Sequence, residues 1–168
     1  MAEKQSLYVS PGEPKKRGFE DLDCYQQALA IMAAVYEIVK QFPGDEKYDL
    51  VSQIRRSSKS VTANIAEGYG RYHYLDSLRY YSVARGELNE TLAHLINASV
   101  LGYIDQGAFE RLYHLIRQAE QTLNGYMVFV RRKREGARDY GDKAVREEGA
   151  EYDAANEASD GKDEDVNT

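Results

Sequence analysis

Between positions 53 and 70 the chain reads QIRRSSKSVTANIAEGYG, and its polar residues keep a helical register. Gln53, Arg56, Ser60, Asn64 and Glu67 are separated by three or four residues, so a helix would carry them as one stripe. Beside that stripe Leu50, Ile54, Val61 and Ile65 form an apolar seam, and Ser57, Ser58, Ser60, Ala63 and Ala66 keep the surface small. A solvated face needs no Asn or Ser at those steps. Gln, Arg, Asn and Glu in register predict a hydrogen-bonded network at a helix or subunit interface. Gly68 and Gly70 are expected to stop the helix.

Basic and aromatic residues crowd the same region. Arg55, Arg56 and Lys59 lie on the segment, and Arg71 and Arg79 follow with Tyr69, Tyr72, Tyr74 and Tyr80 interleaved. The chain has 14 Tyr and no Trp, a bias toward rings that stack and also hydrogen-bond. Guanidinium groups hold phosphates and tyrosine rings stack on bases, so Arg55, Lys59, Arg71, Tyr72 and Arg79 are candidates for nucleic-acid contact. The pattern equally fits a structural role, with Arg56 paired to an interior Glu and the rings filling core and subunit contacts. A second basic group, Arg131, Arg132, Lys133 and Arg134, ends the last apolar-periodic segment. Cations there complement the helix dipole without any ligand. Four in succession exceed that need and offer a phosphate-binding patch.

Catalytic chemistry finds no support. Ser57, Ser58 and Ser60 have no neighbouring His, and no Gly-rich phosphate loop is present. A di-iron bundle needs Glu-x-x-His on two helices, whereas Glu90 and His94, and Glu110 and His114, are four apart. The reading is a non-enzyme without metal or cofactor.

Composition bounds the rest. The 168 residues suit one domain. No run of eighteen apolar residues exists to span a membrane, and the first residues lack the apolar core of a secretory signal. Cys24 is the single cysteine, which excludes an internal disulfide and fits a reducing cytoplasm. It adjoins an apolar stripe and reads as a core thiol rather than a nucleophile. The formal charge of −6 is unevenly placed. Residues 1–138 carry 19 Lys and Arg against 17 Asp and Glu, while residues 139–168 carry 3 against 11. The body is near neutral and the tail strongly acidic.

Four amphipathic helices are predicted, at about 22–42, 45–67, 74–102 and 106–134. Their seams are Leu22, Tyr25, Ala28, Met32, Val35, Val39 and Phe42 in the first, with Leu78, Tyr81, Leu88, Leu92 and Leu95 in the third. The fourth repeats Phe109, Leu112, Ile116, Ala119, Leu123, Tyr126 and Val130. Pro43-Gly44 ends the first helix, and Gly86 inside the third is expected to mark a close helix contact. No segment alternates with period two. The fold class is therefore all-α, an up-down-up-down antiparallel four-helix bundle over residues 19–138. Residues 1–18 and 139–168 are expected to be disordered arms.

Five motifs in order carry a family resemblance: Phe42-Pro43, Tyr48-Asp49-Leu50, Gln53 to Arg56, Asn64 to Gly68, and Leu101 to Ile104. With that spacing the chain resembles the bacterial four-helix-bundle proteins encoded by intervening sequences in 23S ribosomal RNA genes. The resemblance covers about residues 19–134. It implies a bundle that assembles as a homo-oligomer, a pentamer in similar proteins, with RNA or a ribosomal ribonucleoprotein as partner. A related bundle serves diversity-generating retroelements, binding a reverse transcriptase and nucleic acid, and that is the alternative the resemblance implies. An assembly factor that touches only protein is a third reading. Glu90 is the expected partner of Arg56 or Asn64, completing a structural network of Gln53, Arg56, Asn64, Glu67 and Glu90. Glu87 stands where the family commonly has a small residue.

Overall fold

Apolar stripes at three- and four-residue steps produce four helices. A computed structural model describes residues 18–133. The rest of both expected arms, 1–17 and 139–168, lies outside the described residues, as do positions 134–138 of the expected bundle. Helix α1 spans Asp23–Ile38, α2 Leu50–Tyr69, α3 Tyr74–Val100 and α4 Gln106–Lys133. Neighbours pack in a closed ring, α1 on α2, α2 on α3, α3 on α4 and α4 back on α1. Short connections force each helix antiparallel to the one before it, giving the up-down-up-down bundle. Among the described residues there is no strand, and no helix is long and apolar enough to cross a membrane.

Helix ends differ from the sequence reading in informative ways. The first helix tightens into a 3-10 turn at Val39–Gln41, just ahead of Pro43. The second begins at Leu50 rather than at Asp45, because Gly44–Tyr48 forms a separate 3-10 turn. Glu46 holds that break open. Its backbone N–H donates to Pro43 O at 3.1 Å, and its carboxylate accepts from Leu50 N–H at 3.3 Å. The Tyr103 hydroxyl donates to the same carboxylate at 2.8 Å, from the far side of the α3–α4 turn. That turn needs its glycine: Gly102 has φ +75°, and Tyr103 N–H and Gly102 N–H donate to Ala98 O and Ser99 O. These are the paired bonds of a Schellman cap.

Two glycine expectations are corrected. Gly68 does not stop α2, which continues to Tyr69, and Gly70 caps it in a right-handed conformation with φ −76°. Gly68 is buried inside the helix. A Cβ there would lie 2.5 Å from the Tyr81 ring, so this is the close contact expected at Gly86. Gly86 is exposed and has open space around it.

The closest packing joins α2 to α3. Ser77, Ala84, Thr91 and Ala98 follow one another at seven-residue steps on α3 and are all buried. Small residues on α2, Ser57, Ser58 and Gly68, are buried as well. Small side chains let the two backbones approach, and Tyr81, Leu88 and Leu95 fill the space beside them. The seams of α3 and α4 are as read, except that Phe109 and Tyr126 are only half-buried. In α1 the core position is Ile31, while Met32 is half-buried. Cys24 is buried, and desolvation pushes its thiol up to about 11.

Gly68→Ala should lower the melting temperature, since the Tyr81 clash costs about 1–3 kcal/mol and exceeds the helix-propensity gain. Gly86→Ala, with open space for its methyl group, should raise it by the propensity term of about 1 kcal/mol. Thermal unfolding of both variants checks the pair, and a rise for Gly68→Ala would contradict the tight contact. Cys24 should resist iodoacetamide at pH 8 in the folded protein and react once urea unfolds it. Its folded pKa is raised, so the stability it contributes is intact below pH 9 and fades between 9 and about 11.

Candidate nucleic-acid interface

Antiparallel packing gathers residues far apart in sequence. The end of α2, the start of α3 and the end of α4 share one end of the bundle with the start of α1. Ring contacts tie it together: Phe19 meets Tyr69 at 6.4 Å, and Tyr81 meets Tyr126 at 5.3 Å. Arg71, Tyr72, Arg131, Arg132 and Lys133 therefore belong to one end, with Arg79 a turn and a half into α3. Arg55 and Lys59 do not; Lys59 lies ten residues, about 15 Å of helix, short of the end of α2 at Tyr69.

The cations differ in how free they are. Arg71 ion-pairs with Glu67, donates to Tyr80 Oη at 2.7 Å and lies 4.6 Å over the Tyr80 ring. Arg55 is half-buried, 4.9 Å over the Tyr36 ring of α1, and its enclosed Nε has no hydrogen-bond partner. Both guanidinium groups are held by the fold, in the structural sense the sequence left open. Tyr72 is half-buried and edge-on to His73, with ring centroids 5.0 Å apart. Lys59, Arg79, Arg131 and Arg132 are exposed, and none forms an ion pair among the described residues. Lys133 is the last described residue of α4, and Arg134 lies outside the described residues. Acidic groups share this end: Glu20, Asp21 and Asp23 on the α1 side and Asp76 in the first turn of α3. Apart from Arg71, the exposed cations of this end lie on α3 and α4, with Asp76 among them.

The expected polar network breaks into separate pieces. Gln53 is exposed. Arg56 pairs across the seam with Glu90 at 2.5 Å, both at the rim rather than in the core. Asn64 donates to Ser60 O of its own helix at 2.8 Å, and Glu67 pairs with Arg71. Close packing explains the correction: helices drawn together by small residues leave no width inside for long polar side chains. The buried polar contact is instead Ser57 with Thr91, their hydroxyls 2.9 Å apart and both fully buried. Backbone carbonyls of Glu87 and Ile54, at 2.8 and 3.3 Å, supply further acceptors. Thr91 was missed in the sequence, although its place in the seven-residue series Ser77, Ala84, Thr91, Ala98 marks the stripe.

Glu87 was also underread. One of its carboxylate oxygens is enclosed without a hydrogen bond. Burial, then the nearby charge of Glu90, raises its carboxyl above the ordinary range, while Arg56 pulls the other way. His94 Nε2 lies 3.6 Å from Glu90, extending the row along the seam. No group of His, Cys, Asp and Glu among the described residues is arranged to hold a metal.

These contacts set an order of importance. Asn64→Ala should shift the unfolding free energy by about 0.5 kcal/mol or less, as a rim residue. Thr91→Val removes the buried Ser57–Thr91 hydrogen bond and should cost about 1 kcal/mol. Urea unfolding of the two variants tests this, and the reverse ranking would restore Asn64 to a network.

Comparison with known proteins agrees with this architecture. No curated protein matches the chain. A crystal structure of a protein of unknown function from the S23 ribosomal protein family of Bacteroides thetaiotaomicron superposes with a TM-score of 0.58. It is 22% identical, and the match covers 62% of this chain and 97% of that one, which shows a shared fold. The sequence profile of the 23S rRNA-intervening sequence proteins matches residues 20–125, nearly the whole described bundle, and the chain belongs to that family.

Proposed function

We propose that this protein is a non-enzymatic, oligomeric helical bundle that binds RNA or a ribonucleoprotein through the α3–α4 side of one end. One observation carries the reading: Arg79, Arg131 and Arg132 are exposed cations that form no ion pair among the described residues, on helices that converge there. Arg71 and Arg55 lie over tyrosine rings, which fixes the orientation of their guanidinium groups. Lys133, Arg134 and Arg138 continue the basic run in sequence. The family name points to ribosomal RNA as the class of nucleic acid. Oligomerisation, with five subunits favoured, would bring several such ends together and multiply weak contacts. The acidic residues 139–168 follow directly and compete with phosphate for the same cations.

Fluorescence anisotropy with a labelled 23S ribosomal RNA fragment, over a salt series, tests the proposal. Affinity should fall steeply with salt, and Arg79→Ala with Arg131→Ala and Arg132→Ala should flatten the log–log slope by about two. Truncation after Arg138 should tighten binding. Salt-independent binding, or identical binding by the triple variant, would remove RNA from this end. A monomer by sedimentation at micromolar concentration would remove the oligomer.

A further inference from the structure

At the opposite end of the bundle four of the five family motifs, all but Asn64 to Gly68, converge without serving the RNA reading. Phe42 packs on Tyr103 with ring centroids 5.6 Å apart, and Tyr103 fixes Glu46. Between this 3-10 turn, the start of α2 and the end of α3 lies an open groove of about 420 Å³. That is the size of a small-ligand site.

Its lining is chemically one-sided. Asp49 and Glu46 stand on one wall, and neither Lys nor Arg lines the groove. Asp49 is exposed and its carboxylate makes no hydrogen bond or ion pair among the described residues. The opposite wall is the C-terminal turn of α3; its Asn97, Ala98 and Ser99 carbonyls accept the cap hydrogen bonds, and the helix end as a whole carries negative partial charge. Gln53 and Asn97 add side-chain amides whose oxygens can accept, and His94 Nε2 is enclosed without a hydrogen-bond partner among the described residues. Around this anionic centre the rim is apolar. Val100 is 81% exposed and Leu101 55%, two adjacent aliphatic side chains on one rim.

We infer that this groove docks a polypeptide segment of a partner protein that presents a Lys or Arg beside an aliphatic side chain. The cation meets the Asp49 carboxylate at the negative end of α3 while its methylene stem lies along Leu50. The neighbouring aliphatic group covers Val100 and Leu101. A free amine would satisfy the acids and leave the apolar rim in water, so the rim argues for a peptide. The inference is independent of the RNA reading, which concerns the other end.

Selection of displayed random dodecapeptides against the full-length protein tests it. Enriched peptides should pair Lys or Arg with Leu, Ile or Val. The synthetic consensus peptide is then titrated calorimetrically against variants. Asp49→Asn should weaken it about threefold, as one exposed charge pair. Val100→Lys sets a like charge in the groove and should weaken it about tenfold or more. That substitution suits the negative helix end, and unchanged helicity by circular dichroism confirms the fold. Arg131→Ala should leave peptide binding unchanged. No enrichment, a consensus without cations, or binding indifferent to both groove variants would overturn the inference.

Discussion

The close approach of α2 and α3 governs the rest of this molecule. Two helices can sit near each other only where side chains between them are small. Ser57, Ser58 and Gly68 meet a facing stripe of Ser77, Ala84, Thr91 and Ala98, all buried. The Ser57–Thr91 hydrogen bond makes that contact specific as well as close. Apolar groups of the same size would pack equally well but would tolerate sliding, whereas a buried hydroxyl pair loses a partner when displaced. Gly68 against Tyr81 fixes the approach at the other end of α2. Register and spacing are therefore set by a few atoms.

From that constraint follows the distribution of charge. A seam this narrow excludes Arg, Glu and Asn, so Arg56 and Glu90 bridge it from outside and Asn64 turns back to its own helix. Glu87 is the exception, caught near the seam with one oxygen enclosed, and its raised carboxyl pKa reflects that position. A pair exposed as Arg56–Glu90 is contributes little stability by itself. The α2–α3 seam is thus committed to packing and ion pairs, while Lys59 and apolar side chains such as Ile96 and Val128 stay exposed on the helix walls.

The helices and most of their buried positions were legible because apolar periodicity reports directly on which face is inside. Leu78, Tyr81, Leu88, Leu92 and Leu95 could be read without a structure. Across helices the reading succeeded for one pair, Arg56 with Glu90, and missed the depth at which the stripe lies. The stripe from Gln53 to Glu67 has the period of an interface, but period does not say whether its centre is core or rim. That depends on the width of the α2–α3 gap, set by residues on both helices. The glycines were confused for the same reason: Gly68 and Gly86 look alike in sequence, and only the position of Tyr81 separates them. The groove was invisible because it joins residues some fifty positions apart, Asp49 and Val100, through a turn that Glu46 interrupts.

The two ends carry opposite chemistry along a helix of 27 residues, about 40 Å long. Exposed guanidinium groups at one end suit phosphate, and the anionic, aliphatic-rimmed groove at the other suits a basic peptide. At that separation charges are screened from each other at physiological salt, so occupying one end does not electrostatically oppose occupying the other. RNA and the basic proteins that accompany it present those two chemistries together. A bundle able to hold both at once would act on a ribonucleoprotein by bridging its components, with rigidity supplied by the packed α2–α3 seam.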